Sequence, residues 1–285
     1  MAFDACPGLE TDRSGLLECR RLLAEPLTKE KLFLCAEFLR ESRGSRFVRL
    51  PPVLSMETEA FGASVVHDEY GRRLAGNPVL EKTALETPAL LPALPLPEPF
   101  WLPESPFLYG HPVLYGLTGA CSLALNLVGL RAFSRLWRKN PEMLQGFLER
   151  LNGWQIGNCR KAAERGIRFF YFADPSADPS VLGAERYEAL GLRYQQAFLE
   201  AVYDELKMGL MVVCKKTAAG LLEAELLRQE ACPWPEGATA GLEERILAAA
   251  GDPKIRIAGG HCLMQDSIPA EPLCALFPVN LILQK

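Results

Sequence analysis

The chain has 285 residues, 49% of them hydrophobic and 23% charged, with 31 basic against 35 acidic side chains and a net charge of −4. That is the composition of a globular protein long enough to bury a core without disulfides or a structural metal. The charge balance and the absence of a basic block argue against nucleic acid and an anionic membrane surface as partners.

Residues 1–45 read as an N-terminal helical extension. Leu16, Leu17, Leu22 and Leu23, then Leu32, Phe33, Phe38 and Leu39, recur at near-helical spacing around a break at Pro26. Short strand-like runs follow at 46–50 and 63–67. Seven prolines in the nineteen residues from Pro88 to Pro106 exclude a helix or central strand, so this stretch is expected as an extended surface connection rather than a domain boundary. Pro112–Gly116 is a short apolar run, and helix is expected over 122–139.

Asn140-Pro141-Glu142 combines a capping residue, a proline suited to the first helical position and an acid that favours the positive helix end. A helix over about 141–165 follows, with Gly166 as its terminator. Ile167–Ala173 reads as a strand buried on both faces, 184–207 as helix, 208–214 as strand, 217–228 and 241–250 as helices, and 254–258 and 280–283 as strands. Strands alternating with helices imply parallel β connected by crossovers. Asp174, Cys214 and the His261-Cys262 pair then fall at or just past the carboxyl ends of three strands, the edge where such folds build their sites.

No stretch reaches about 18 uninterrupted apolar residues, which excludes a membrane span. The N-terminus lacks a basic and apolar leader, so a cytoplasmic location is expected. The nine cysteines, an odd and scattered set, do not form a disulfide framework.

The residues from about 107 to 230 resemble the superfamily of uroporphyrinogen decarboxylase and the corrinoid-dependent methyltransferases, among them the methylcobamide:coenzyme M methyltransferases. Gly119-Ala120-Cys121-Ser122-Leu123-Ala124 stands where that family has Gly-Pro-x-Thr-Leu-Ala, and Asp174-Pro175-Ser176-Ala177 matches its acidic turn. Glu57-Thr58-Glu59-Ala60-Phe61-Gly62-Ala63 resembles a segment of the methyltransferase branch. Cys214-Lys215-Lys216-Thr217 stands where that branch carries His-x-Cys-Gly, with Val212 at the position of the motif's His.

The resemblance implies an α/β fold, a TIM (β/α)8-type barrel in an irregular or shortened form, over residues 46–285. It implies a methyltransferase working with a cobalamin carried by a partner corrinoid protein and with a small-molecule methyl donor or acceptor. Zinc in that branch stabilises a substrate thiolate, and the candidate ligands here are Cys214, His261 and Cys262. Asp174 is the candidate catalytic residue, and Asp174, Tyr171 and Lys215 are candidate substrate contacts. A buried thiol for Cys214 and Cys262, a core or loop histidine for His261, a solvated lysine for Lys215 and an N-cap of the following turn for Asp174 are the structural alternatives. A tetrapyrrole decarboxylase and a non-catalytic paralogue that binds a corrinoid protein are the alternative functions. The decarboxylase signature, an arginine-bearing Gln-Ala-Gly-Arg element, is absent from the sequence.

Overall fold

The computed structural model describes residues 28–52, 55–68, 71–230, 242–260 and 273–279. Helix α1 (Lys29–Ser42) opens them, with the Thr28 hydroxyl accepting from the Lys31 amide. Strand β1 (Val48–Leu50) and helix α2 (Ser55–Ala60) follow. Strands β2 (Ser64–Asp68) and β3 (Gly71–Gly76) form a separate antiparallel hairpin. The strand expected over 63–67 is therefore present but stands outside the main sheet.

Helix α3 (Pro78–Glu86) has Asn77 as its cap, whose Oδ1 accepts from Val79 N and Leu80 N at 3.1 Å each. The proline-rich stretch corrects one expectation. It begins with a short 3-10 helix, Pro88–Ala93, and buries Leu91, Trp101 and Leu102 rather than running over the surface as an extended connection. The Trp154 indole donates to Pro97 O at 2.7 Å and Arg150 Nε to Leu94 O at 3.1 Å, so the carbonyls of a segment poor in N–H groups find donors on a neighbouring helix.

A short strand β4 (Phe107–Leu108) turns back into β5 (His111–Thr118). Helix α4 (Ala120–Lys139) is broken at Gly129, whose φ of 74° no ordinary helical residue adopts. Helix α5 (Pro141–Glu164) has the expected bounds, with Gly166 at φ 81° just beyond it. Asn140 precedes it, but its side chain makes no capping bond. Strand β6 (Phe169–Ala173) leads through a turn and a π-helical segment, Tyr187–Leu192, into helix α6 (Arg193–Val202). Then come strand β7 (Leu210–Val213), helix α7 (Lys215–Glu223), strand β8 (Leu227–Glu230), helix α8 (Leu242–Ala250), strand β9 (Ile257–Gly259) and strand β10 (Cys274–Pro278). The end of the helix expected over 217–228 is thus strand, and the strand expected over 280–283 lies outside the described residues.

The main sheet runs β1-β5-β6-β7-β9-β10-β8. Its first five strands are parallel, and β10 and β8 complete it in antiparallel pairing. This is the expected α/β fold in an irregular form, with five parallel strands among the described residues where a full barrel has eight. Alternate residues go to opposite faces, as the pleat requires. Leu117, Phe170, Phe172, Met211 and Val213 meet the helices α4 to α7, where the Phe172 and Phe198 rings stack at 4.3 Å between centroids. Leu114, Tyr171, Ala173, Val212 and Cys214 face the other way, against Ile246 and Ala249 of α8. Glu243 ties the start of that helix to the approach to β1, accepting from Ser45 Oγ at 2.5 Å and from Arg46 N at 2.6 Å.

Candidate functional site

The parallel strands end together. Thr118 closes β5, Asp174 follows β6 directly and Cys214 follows β7, so the register brings three chain segments to one edge of the sheet. Asp174 is almost wholly buried there. Its Oδ1 accepts from Ser122 N at 2.8 Å, its own amide donates to Thr217 Oγ1 at 3.0 Å, and Oδ2 has no hydrogen-bond partner. Ser122 Oγ accepts in return from Ser176 N at 3.0 Å. The carboxylate thus caps the N-terminus of α4, whose unpaired amides and dipole favour negative charge. The structural alternative, a cap of its own following turn, is thereby corrected, since the helix it caps begins more than fifty residues earlier.

Gly119 explains how the carboxyl fits. Its φ of −63° and ψ of 157° suit any residue, but a Cβ built there would lie within 3.0 Å of the Asp174 Cβ, Cγ and Oδ2 atoms. Glycine is required by the close approach and not by the backbone angle. Burial pushes the Asp174 carboxyl up to about 6, and the Ser122 and Cys121 groups at the helix end, with Gln195, pull the other way.

A second buried acid went unremarked as a site residue at the level of sequence. Glu57, on α2 just past β1, has no exposed surface. Gln155 Nε2, from the inner face of α5, donates to Glu57 Oε1 and to Thr118 O, each at 2.7 Å. Burial raises the Glu57 carboxyl to about 7 against the opposing pull of Thr118 and Gln155. Glu57 Oε2, Gln155 Oε1, the Tyr115 hydroxyl and Asn158 Nδ2 are buried without hydrogen-bond partners. The available sequence signal was Asn152, Gln155 and Asn158 at spacing i, i+3, i+6, a polar row within the apolar stripe of α5 and buried throughout.

The other expected site residues divide. Tyr171 and Cys214 are buried and share the sheet face that packs against α8. Asp174, one residue beyond Ala173, turns to the opposite face toward α4, so the structure does not bring it to the same face as Cys214. Lys215 is exposed at the start of α7. His261 and Cys262 lie outside the described residues. Gly260, the last described residue before them, has φ 92°. Among the described residues no group of three His, Cys, Asp or Glu side chains is placed to hold a metal.

The chain is a parallel-rich α/β protein with buried carboxyls at the carboxyl ends of its strands, the edge where such folds build their sites. Over 111 residues the chain is 27% identical to the methylcobamide:CoM methyltransferase MtbA of Methanosarcina acetivorans. The matched stretch takes in 39% of this chain and 32% of that enzyme, so the chain spans about a third of the curated relative it matches. The resemblance to the superfamily of uroporphyrinogen decarboxylase and the corrinoid-dependent methyltransferases is borne out by that match. A solved methyltransferase from Methanosarcina mazei is similar at a TM-score of 0.49 and 19% identity, over 70% of this chain and 62% of that one. No protein-family model matches the chain. No helix among the described residues is long and apolar enough to cross a membrane.

Proposed function

We propose that the protein is a methyltransferase that moves a methyl group between a cobalamin carried by a separate corrinoid protein and a small-molecule substrate, with its site at the carboxyl edge of β5, β6 and β7. The observation that carries the reading is the sequence match to a methylcobamide:CoM methyltransferase. The buried, partly unpartnered carboxyl of Asp174 at that edge supports it. Residues 46–285 form the barrel-like domain in this reading, 1–45 are an extension of it, and the protein works in the cytoplasm.

Transfer of a methyl group to a thiol replaces an S–H bond by an S–CH3 bond, leaves the electron pair of the broken cobalt–carbon bond on cobalt and releases one proton. Asp174 is the group assigned to that proton. With its carboxyl near 6, it is mostly ionised at neutral pH and still basic enough to accept, while Oδ2 points away from the bond to Ser122. Tyr171 packs the other face of the strand end, and Lys215 offers a cation at the exposed rim to an anionic substrate. Zinc, where bound, would hold the thiol as its thiolate. Cys214 with His261 and Cys262 is the set proposed for it, and none of the steps assigned to Asp174 runs through the metal.

One observation favours a non-catalytic paralogue as the second reading. Val212, at the position of the motif's His, is fully buried in the wall of β7, so this position serves packing. The decarboxylase alternative needs cations to hold several carboxylates, and the buried polar side chains among the described residues include no Lys or Arg.

The test incubates the purified protein with methylcobalamin and a panel of small thiols, and in the reverse direction with methyl thioethers and reduced cobalamin. Methyl thioether is followed by mass spectrometry and the cobalamin by absorbance. The wild type is expected to form product, and Asp174→Asn to be slower by about 10²-fold or more, the usual contribution of a general acid or base. A folded wild type that forms no product above the uncatalysed rate in either direction would remove the methyltransferase reading in favour of the paralogue.

A further inference from the structure

We propose that Glu57 is a positioning residue for Asp174, acting through Gln155 and the Thr118–Gly119 turn that separates the two acids. The proposal rests on the reading above in taking Asp174 as the working carboxyl. Its basis is the path of contacts.

The turn between β5 and α4 is held from both sides. On one side Gln155 Nε2 uses its two hydrogens at once, one on Glu57 Oε1 and one on Thr118 O, both at 2.7 Å. On the other side Gly119 N donates to Ala173 O at 2.8 Å, and the Asp174 carboxyl lies against the Gly119 Cα in space that a methyl group would occupy. Ser122, the donor to Asp174 Oδ1, is three residues further along the same segment. A shift of the turn therefore moves the floor under Asp174 and the amide bonded to it together.

Glu57 is what keeps Gln155 in place. Loss of the Glu57 acceptor leaves the Gln155 amide with its single bond to Thr118 O, about which it can turn, because its own Oε1 makes no hydrogen bond. A salt bridge would be the ordinary use of a buried glutamate, yet here the partner is a neutral amide that passes the constraint on to a main-chain carbonyl. The titratable groups facing the two acids are Tyr115 of β5 toward Glu57, and Cys121 of α4 and Tyr187 of the π-helical segment toward Asp174. All three are held neutral by burial, so what passes between Glu57 and Asp174 is geometry rather than the charge of an intervening group.

The experiment reads the seat of Asp174 directly. Aspartate 13Cγ resonances are followed against pH in the full-length protein, with the Asp174 signal assigned by its loss in Asp174→Asn. Glu57→Gln keeps an oxygen at Oε1 for Gln155 to donate to, and it is expected to leave the Asp174 midpoint within about 0.3 pH units of the wild type. Glu57→Ala and, independently, Gln155→Met break the link. Each is expected to lower the midpoint by about one unit, a tenfold loss of proton affinity, as water reaches the carboxyl. Gln155→Met carries the test should Glu57→Ala not fold. Folded link-breaking variants whose Asp174 titrates as in the wild type would overturn the proposal, as would a Glu57→Gln shift as large as that of Glu57→Ala. The readout needs no turnover, so a failure of the methyltransferase reading registers separately in the thioether assay.

Discussion

Replacing Gly119 by alanine tests the account of the site at its tightest point. The backbone angles at 119 are acceptable to alanine, so no conformational cost enters. The whole effect comes from a methyl group placed inside 3.0 Å of three atoms of Asp174, against an ordinary carbon–carbon contact of about 3.5 Å or more. α4 and β6 are pushed apart and the carboxyl swings off Ser122 N. Overpacking of this kind costs about 1–3 kcal/mol, and loss of a buried charge-assisted bond about 1.5–3 kcal/mol, so the expected destabilisation is on the order of 4 kcal/mol. With a urea m value of about 3 kcal/mol/M for a chain of this size, the unfolding midpoint should fall by about 1 M. Gly153→Ala is the control. It lies on α5 with nothing within 4 Å of its added Cβ, and helix propensity alone should raise stability there by about 0.5–1 kcal/mol. A Gly119→Ala midpoint close to that of the wild type would refute the packing argument, and with it the claim that Asp174 is seated by the α4 N-terminus.

The two buried acids also set a pH dependence. Both bind their protons more tightly in the folded chain than in the unfolded one, so folding takes up protons. The stability they allow is complete below ordinary carboxylate values and is lost as pH rises through about 6 for Asp174 and about 7 for Glu57. Urea melts at pH 5 and pH 8 should show wild type weaker at pH 8, and Glu57→Gln should recover on the order of 3 kcal/mol of that difference; equal slopes in the two proteins would contradict a buried ionisable Glu57. Thiol reactivity gives a separate check. Cys121, Cys159 and Cys214 are buried, and burial raises the Cys159 thiol to about 12 and Cys121 well above its ordinary value. Alkylation of the native protein followed by peptide mass spectrometry should leave all three unmodified until denaturant is added, and rapid native labelling of any of them would show that its wall is open.

Local chemistry made much of the fold legible. The Asn-Pro-Glu start and the glycine stop bracketed α5 to within a residue, and the apolar run 167–173 contained β6, because these signals act within a few residues of the chain. Asn77-Pro78 carries the same kind of signal for α3 and was available to the same reasoning. Where partners are distant in sequence the reading failed. Among the described residues β8 pairs with β10 and β10 with β8 and β9, and β8 has one buried residue followed by three exposed ones, with no alternation to read. The proline-rich stretch looked like a solvated connection because its composition excludes regular helix, yet tertiary contacts with Trp154 and Arg150 bury it. Within the site, Asp174 was legible from its place after an apolar strand. Its helix partner was not, since the capping bond joins residues 52 apart. Glu57 escaped because an acid on a short helix that also carries Glu59 reads as solvated surface until Gln155, 98 residues away, closes over it.

The alternation of side chains at the strand ends constrains any mechanism that uses both Asp174 and Cys214. Ala173 and Cys214 are lateral neighbours on one face, and Asp174 lies one position further on, turned to the other. A substrate confined to the α8 side of the sheet would meet Tyr171 and Cys214 and would leave Asp174 behind the strand. A substrate lying across the carboxyl edge reaches both faces, because beyond the last ladder bonds there is no strand left to separate them. That edge is also where Thr118 and Gly119 turn from β5 into α4, held by Gln155 on one side and packed on Asp174 on the other. A ligand pressing on the turn therefore acts on the two buried acids through the same two residues, and Asp174→Asn and Glu57→Ala should be strongly non-additive in any measurement of ligand binding at this edge, whereas either should combine additively with a change at Lys215 on the exposed rim.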